Sequence, residues 1–246
     1  MSPVDVLFLV VAPLALLVAL PVAWGTAMVW RPTMFVTTGR FEAAREAAER
    51  LERSWLRVFP SARTTARYSR ALSLHLEGRF EESQASLAGL EPTSMEHAFE
   101  VLEAGNLVMQ NRSAKRAAKL LTLPPAAGGS RPAAEDEMLL AVALHMAGDK
   151  HAAARAFERA GTHRPRGAPW PRLNDPVFHY LRALYLVRAG RAVEATADLE
   201  AAAASPILTI YVQRARALLP PTSSSSDLDP RSSLSGQVMD ETTDDR

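Results

Sequence analysis

The sequence predicts an all-α protein made of repeated helical hairpins. Two observations lead there. No stretch shows the apolar/polar alternation of a half-buried strand. A short phrase also recurs, in which a turn residue is followed five places later by a small residue and nine places later by an apolar one. The clearest copy is GDKHAAARAFERA, from Gly148 to Ala160, closed by Pro165. With 246 residues, 48% of them hydrophobic, the chain has ample material for a core.

The chain opens on an apolar run. From Val6 to Trp30 no residue is charged. As a helix this run would be roughly 37 Å long, against about 30 Å for the hydrocarbon core of a bilayer. Residues 4–30 are therefore predicted to form a single transmembrane helix, with Trp24 and Trp30 at the membrane–water interface. Pro13 and Pro21 are tolerated there better than in a soluble helix. A buried soluble helix fits less well, since the run is apolar on every face. A cleaved signal peptide is the competing reading, but MSPVD carries an aspartate and no lysine or arginine, and the run outlasts an ordinary signal core. Arg31, Arg40, Arg45 and Arg50 follow the run and none precedes it, which predicts cytoplasmic repeats.

Residues 33–219 are predicted to form the repeat domain. Each hairpin turns at a residue suited to a left-handed backbone, and glycine, lacking a β-carbon, adopts it without steric cost. Turns fall at Gly39, Gly78, Arg112, Gly148 and Gly190. Five places on come Ala44, Ser83, Ala117, Ala153 and Ala195, where two helices would cross closely. Nine places on, after the glycines, come Ala48, Leu87, Phe157 and Leu199. The stretch from about Gly25 to Thr38 supplies a first helix for the first hairpin. PPAAGGSRP (Pro124 to Pro132) and RPRGAPWPRLND (Arg164 to Asp175) read as loops.

In period and in the placing of small and apolar residues, the region from Phe35 to Pro206 resembles the tetratricopeptide repeat family. No unit carries the family's tryptophan near the start of its first helix. The resemblance implies an α-solenoid of about five hairpins whose first helices line a concave wall. Carried onto matching positions, it puts Tyr68, Leu72 and His75 on that wall, then Asn106 and Met109. Met138, Val142 and His145 follow, and finally Tyr180, Leu184 and Arg188. ILTIYVQRARALL, from Ile207 to Leu219, reads as an amphipathic helix capping the last hairpin. Residues 220–246 are rich in Ser, Asp and Thr and read as a disordered tail.

Chemistry is hard to find. There is no cysteine, hence no disulfide, thiolate metal site or cysteine nucleophile. The six histidines form no HExxH, Gly128-Gly129-Ser130 lacks the ending of a phosphate loop, and no GxSxG is present. A net charge of +1 speaks against a nucleic-acid binder. The expectation is a membrane-anchored scaffold that is not an enzyme, needs no cofactor or metal, and binds a protein or peptide in its groove. An exported, periplasmic assembly factor and an enzyme with a site between repeats are the rival readings.

Overall fold

A computed structural model describes residues 23–88, 95–122, 133–162 and 171–219. All regular structure among them is helical, as the hydrophobic patterning predicts. Helix α1 occupies 23–37 and α2 Phe41–Arg53. A 3-10 turn, Trp55–Val58, leads into α3, Pro60–Leu76. Then come α4 (Phe80–Leu87), α5 (Glu96–Met109), α6 (Ala114–Thr122), α7 (Ala134–Met146) and α8 (Lys150–Thr162). The chain continues through α9 (Pro171–Arg188) and α10 (Ala192–Ala203) to α11 (Ile210–Leu218). The loop centres, the tail at 220–246 and residues 4–22 of the predicted span lie outside the described residues. Among those described, no helix is long and apolar enough to cross a membrane.

The turns follow from backbone stereochemistry. Gly39, Gly78, Gly148 and Gly190 all have positive φ, between 75° and 94°. In each, the glycine N–H and the one after it bond back to carbonyls of the preceding helix, as in Val36 O to Gly39 N and Phe35 O to Arg40 N. The third turn differs from the sequence expectation by one place. Asn111, not Arg112, takes the left-handed position, because an asparagine tolerates it best among residues with a β-carbon. Ser113 is left-handed as well, and this extra residue still delivers Ala117 to the helix crossing. Ala44, Ser83, Ala117, Ala153 and Ala195 are each 0% exposed. Their smallness is thus a packing requirement: a longer side chain would have to be forced into a close-packed crossing.

Hairpin partners pack against one another (α3 on α4, α5 on α6, α7 on α8, α9 on α10), α2 packs on α3 of the next hairpin, and alternate helices also touch, α3 with α5, α5 with α7 and α7 with α9. Helix α7 is apolar around most of its circumference, and Met138 to Ala143 are all buried, as such a helix requires. Helix α1 runs unbroken across the boundary expected near residues 30–33. Pro32 and Val36 are fully buried, and Thr33 shares a hydrogen bond of 3.2 Å with Ser69 of α3. The N-terminal apolar run therefore feeds directly into the first hairpin.

The C-terminal segment does more than cover the last hairpin. Helix α11 packs on α9 and α10 but also reaches α3. A β-carbon added to Gly39 would stand 2.8 Å from Ile207 Cγ2, and one on Gly78 3.0 Å from Ile210 Cδ1. No atom would lie within 4 Å of one on Gly148. Gly148→Ala is therefore expected to cost only the left-handed strain, about 1 kcal/mol. Gly39→Ala adds a collision with Ile207 and should cost at least about twice that. Urea midpoints of the two variants measured side by side check the difference, and equal shifts would place Ile207 elsewhere.

Candidate partner groove and its occupant

Of the eleven residues expected on the wall, six are buried: His75, Asn106, Met109, Met138, Val142 and Tyr180 are 0–4% exposed. Tyr68, Leu72, His145, Leu184 and Arg188 are half-buried. The six are covered by the chain itself. Met138 and Val142 sit in the central core, where α7 is enclosed by its neighbours. His75, Asn106, Met109 and Tyr180 instead converge on, or near, α11.

That convergence is built from directed hydrogen bonds. Tyr211 of α11 lies 2.6 Å from His75 Nε2, and His75 Nδ1 lies 2.7 Å from Asn106 Oδ1. Asn106 Nδ2 donates to Ser83 Oγ at 3.1 Å, and Ser83 donates to the Ala71 carbonyl at 2.8 Å. Only one assignment satisfies every member. The Tyr211 hydroxyl donates to Nε2, and the proton on Nδ1 goes to Asn106, so His75 is neutral. Burial, first, then the positive charge of Arg214 drives the His75 ring down to about 4, although the bond to Asn106 opposes the shift. Burial also pushes the Tyr211 hydroxyl upward.

Arg214, one turn on, donates to the Met109 carbonyl at 2.9 Å and lies 5.5 Å from the centre of the Phe80 ring. Met109 ends α5, so its carbonyl has no partner within the helix, and a cation there is favoured by the helix dipole. The Tyr180 and Tyr211 rings meet edge to face, 5.5 Å apart. His145 makes a parallel contact further along, with Nε2 donating to the Arg188 carbonyl at the end of α9, 3.1 Å away. Helix α11 and the segment leading into it are thus held by Tyr211, by Arg214 and by Ile207 and Ile210, which lie against the turns at Gly39 and Gly78.

Tyr68 stands away from α11, against Phe99 with ring centres 5.6 Å apart. Burial, with the Asp136 carboxylate adding to it, pushes the Tyr68 hydroxyl up to about 12. Burial likewise raises Asp136 to about 6, against the Ala133 N–H that it accepts at 3.2 Å. Between α2, α3 and α4 lies a depression of about 530 Å³ lined by arginines and glutamates, Arg67 with Glu52 and Arg79 with Glu82 among them. Its charges compensate one another and it lacks the apolar floor of a small-molecule site. No group of three or more His, Asp or Glu among the described residues is placed to hold a metal ion.

Between pH 4 and 6.5, His75 and Asp136 act oppositely on stability. His75 takes a proton near 6.5 when unfolded but only near 4 when folded, so acidification through that window favours the unfolded chain, by about 3 kcal/mol. Asp136 is raised from 3.8 to about 6, so the folded chain holds the proton more tightly and the same acidification adds stability. Asp136→Asn removes the second effect. Its urea midpoint should fall between pH 6.5 and pH 4 more steeply than that of the parent chain, and NMR should find one histidine neutral down to about 4. A histidine set that is fully charged at pH 5 would contradict the buried neutral ring.

Sequence reading placed His75, Asn106 and Tyr180 on first helices but missed what they meet. The available signal was Tyr211 and Arg214, three places apart on one face of an amphipathic segment. Comparison with family models, with curated proteins and with solved structures returns no match.

Proposed function

We propose that the chain is a membrane-anchored, tetratricopeptide-like scaffold that binds a protein partner along the wall formed by α3, α5, α7 and α9. The observation carrying this reading is α11 itself. A surface that seats an amphipathic helix through a tyrosine, an arginine and apolar side chains uses a recurrent mode of peptide recognition, the helix in a groove. The repeated turns, the buried small residues and the contacts between alternate helices support the tetratricopeptide-like arrangement. The uncharged run from Val6 to Trp30 supports the anchor, and the arginines after it support repeats on the cytoplasmic side.

In this reading a partner meets the half-buried positions, Tyr68, Leu72, His145, Leu184 and Arg188, or displaces α11 to reach the buried ones. Anchoring confines the scaffold to a surface and raises the effective concentration of whatever it holds there. The test is site-specific photocrosslinking in intact membranes. A crosslinker at Tyr68 or Leu184 is expected to trap the same protein, and one at the exposed Lys119 or Val193 is not. Identical products from all four positions would sink the groove reading.

A further inference from the structure

Among the described residues, one face carries large exposed aromatic rings. Trp30, Trp55 and Phe59 are 57%, 57% and 48% exposed. Trp30, Trp55 and Phe59 line one open depression of about 390 Å³ whose floor includes Gly25, Val29 and Leu56. The Trp55 and Phe59 rings stand edge to face with centres 5.9 Å apart. The face is composite: α1 supplies Trp30, and the 3-10 turn with the residue after it supplies Trp55 and Phe59. Only Leu56 of that turn points inward. Two of the chain's four tryptophans are here.

We propose that this face rests in the headgroup region of an anionic bilayer, so that the domain lies on the membrane as well as being tethered to it. The proposal rests on the membrane-anchor reading and goes beyond it. Three observations choose lipid over other occupants. The face is continuous with the apolar run, since Trp30 is the last residue of that run and lines the depression. Indole is the side chain most suited to a boundary between hydrocarbon and water. The rim supplied by the 3-10 turn and the start of α3 is basic: Arg57 and Arg63 are exposed, and no acidic residue occurs from Arg53 to Leu76. Anionic lipid complements such a rim. A second copy of this face would bring arginine against arginine.

The test uses the full chain with Trp24→Phe, Trp30→Phe and Trp170→Phe, leaving Trp55 as the single fluorophore. It is reconstituted with vesicles of phosphatidylcholine and phosphatidylglycerol whose acyl chains carry bromine quenchers at a chosen depth. The chain should float with the vesicles, and Trp55 should lose roughly half its emission to shallow bromines and little to deep ones, as expected for a ring at the headgroup boundary. Arg57→Glu with Arg63→Glu, in the same background, should restore most of that emission while flotation persists. Flotation with unquenched Trp55 would overturn this inference and leave the anchor standing. Failure to float would overturn both. Quenching that survives the arginine reversals unchanged would overturn the anionic part of the assignment.

Discussion

Asn106→Leu is expected to destabilise the fold by about 2–4 kcal/mol, out of proportion to the loss of one surface-like amide. The side chain is fully buried and stands between His75 and Ser83. Its oxygen takes the proton on His75 Nδ1 and its nitrogen serves Ser83. Leucine leaves the His75 N–H buried and unpaired, and each such orphan costs about 1–3 kcal/mol. The urea midpoint measures the loss. Changing His75→Phe and Tyr211→Phe in the same chain removes the orphaned donors together, so much of the loss should return, since wholly apolar replacements are cheap where partial ones are not. An unchanged midpoint in the single variant would mean that the network does not form.

Met138→Ala is expected to cost about 2–5 kcal/mol, the range for emptying a close-packed site. The residue is fully buried in α7, which touches α5, α6, α8 and α9. A methionine lining an open groove would give a different result, with stability nearly unchanged and only binding lost. Thermal or urea unfolding of the variant therefore separates the two roles directly. A shift below about 0.5 kcal/mol, the usual effect of a surface substitution, would return Met138 to the groove.

What was legible in the chain and what was not divide along sequence distance. The helix crossings could be read because Ala44, Ser83, Ala117, Ala153 and Ala195 answer a steric demand set by the turn five or six residues before them. The third turn was misplaced by one residue because asparagine can stand where glycine usually does, and an added left-handed serine restored the register downstream. The wall residues were placed on the correct helices, yet their surroundings were invisible. Nothing near His75 announces that Tyr211 is its partner. A buried histidine and an exposed ligand-binding one look alike until the distant segment is in place. The aromatic face was hidden for a similar reason, since Trp30 and Trp55 lie on separate elements and meet only after folding.

Those distant contacts also bear on how the chain comes apart. A stack of hairpins touching only nearest neighbours behaves almost as a one-dimensional lattice, which can fray from either end. Here His75 and Tyr211 are 136 residues apart in sequence, and the turn at Gly39 lies against Ile207. Loss of the first hairpin therefore removes support from the last segment, and the reverse holds as well. The bracket costs little more entropy than a short loop, because closure entropy grows only with the logarithm of length. By its high contact order the bracket should slow folding relative to a purely local array and convert fraying into all-or-none opening. Amides in α2 and α10, near opposite ends of the array, should then exchange with solvent at one common free energy instead of on a gradient.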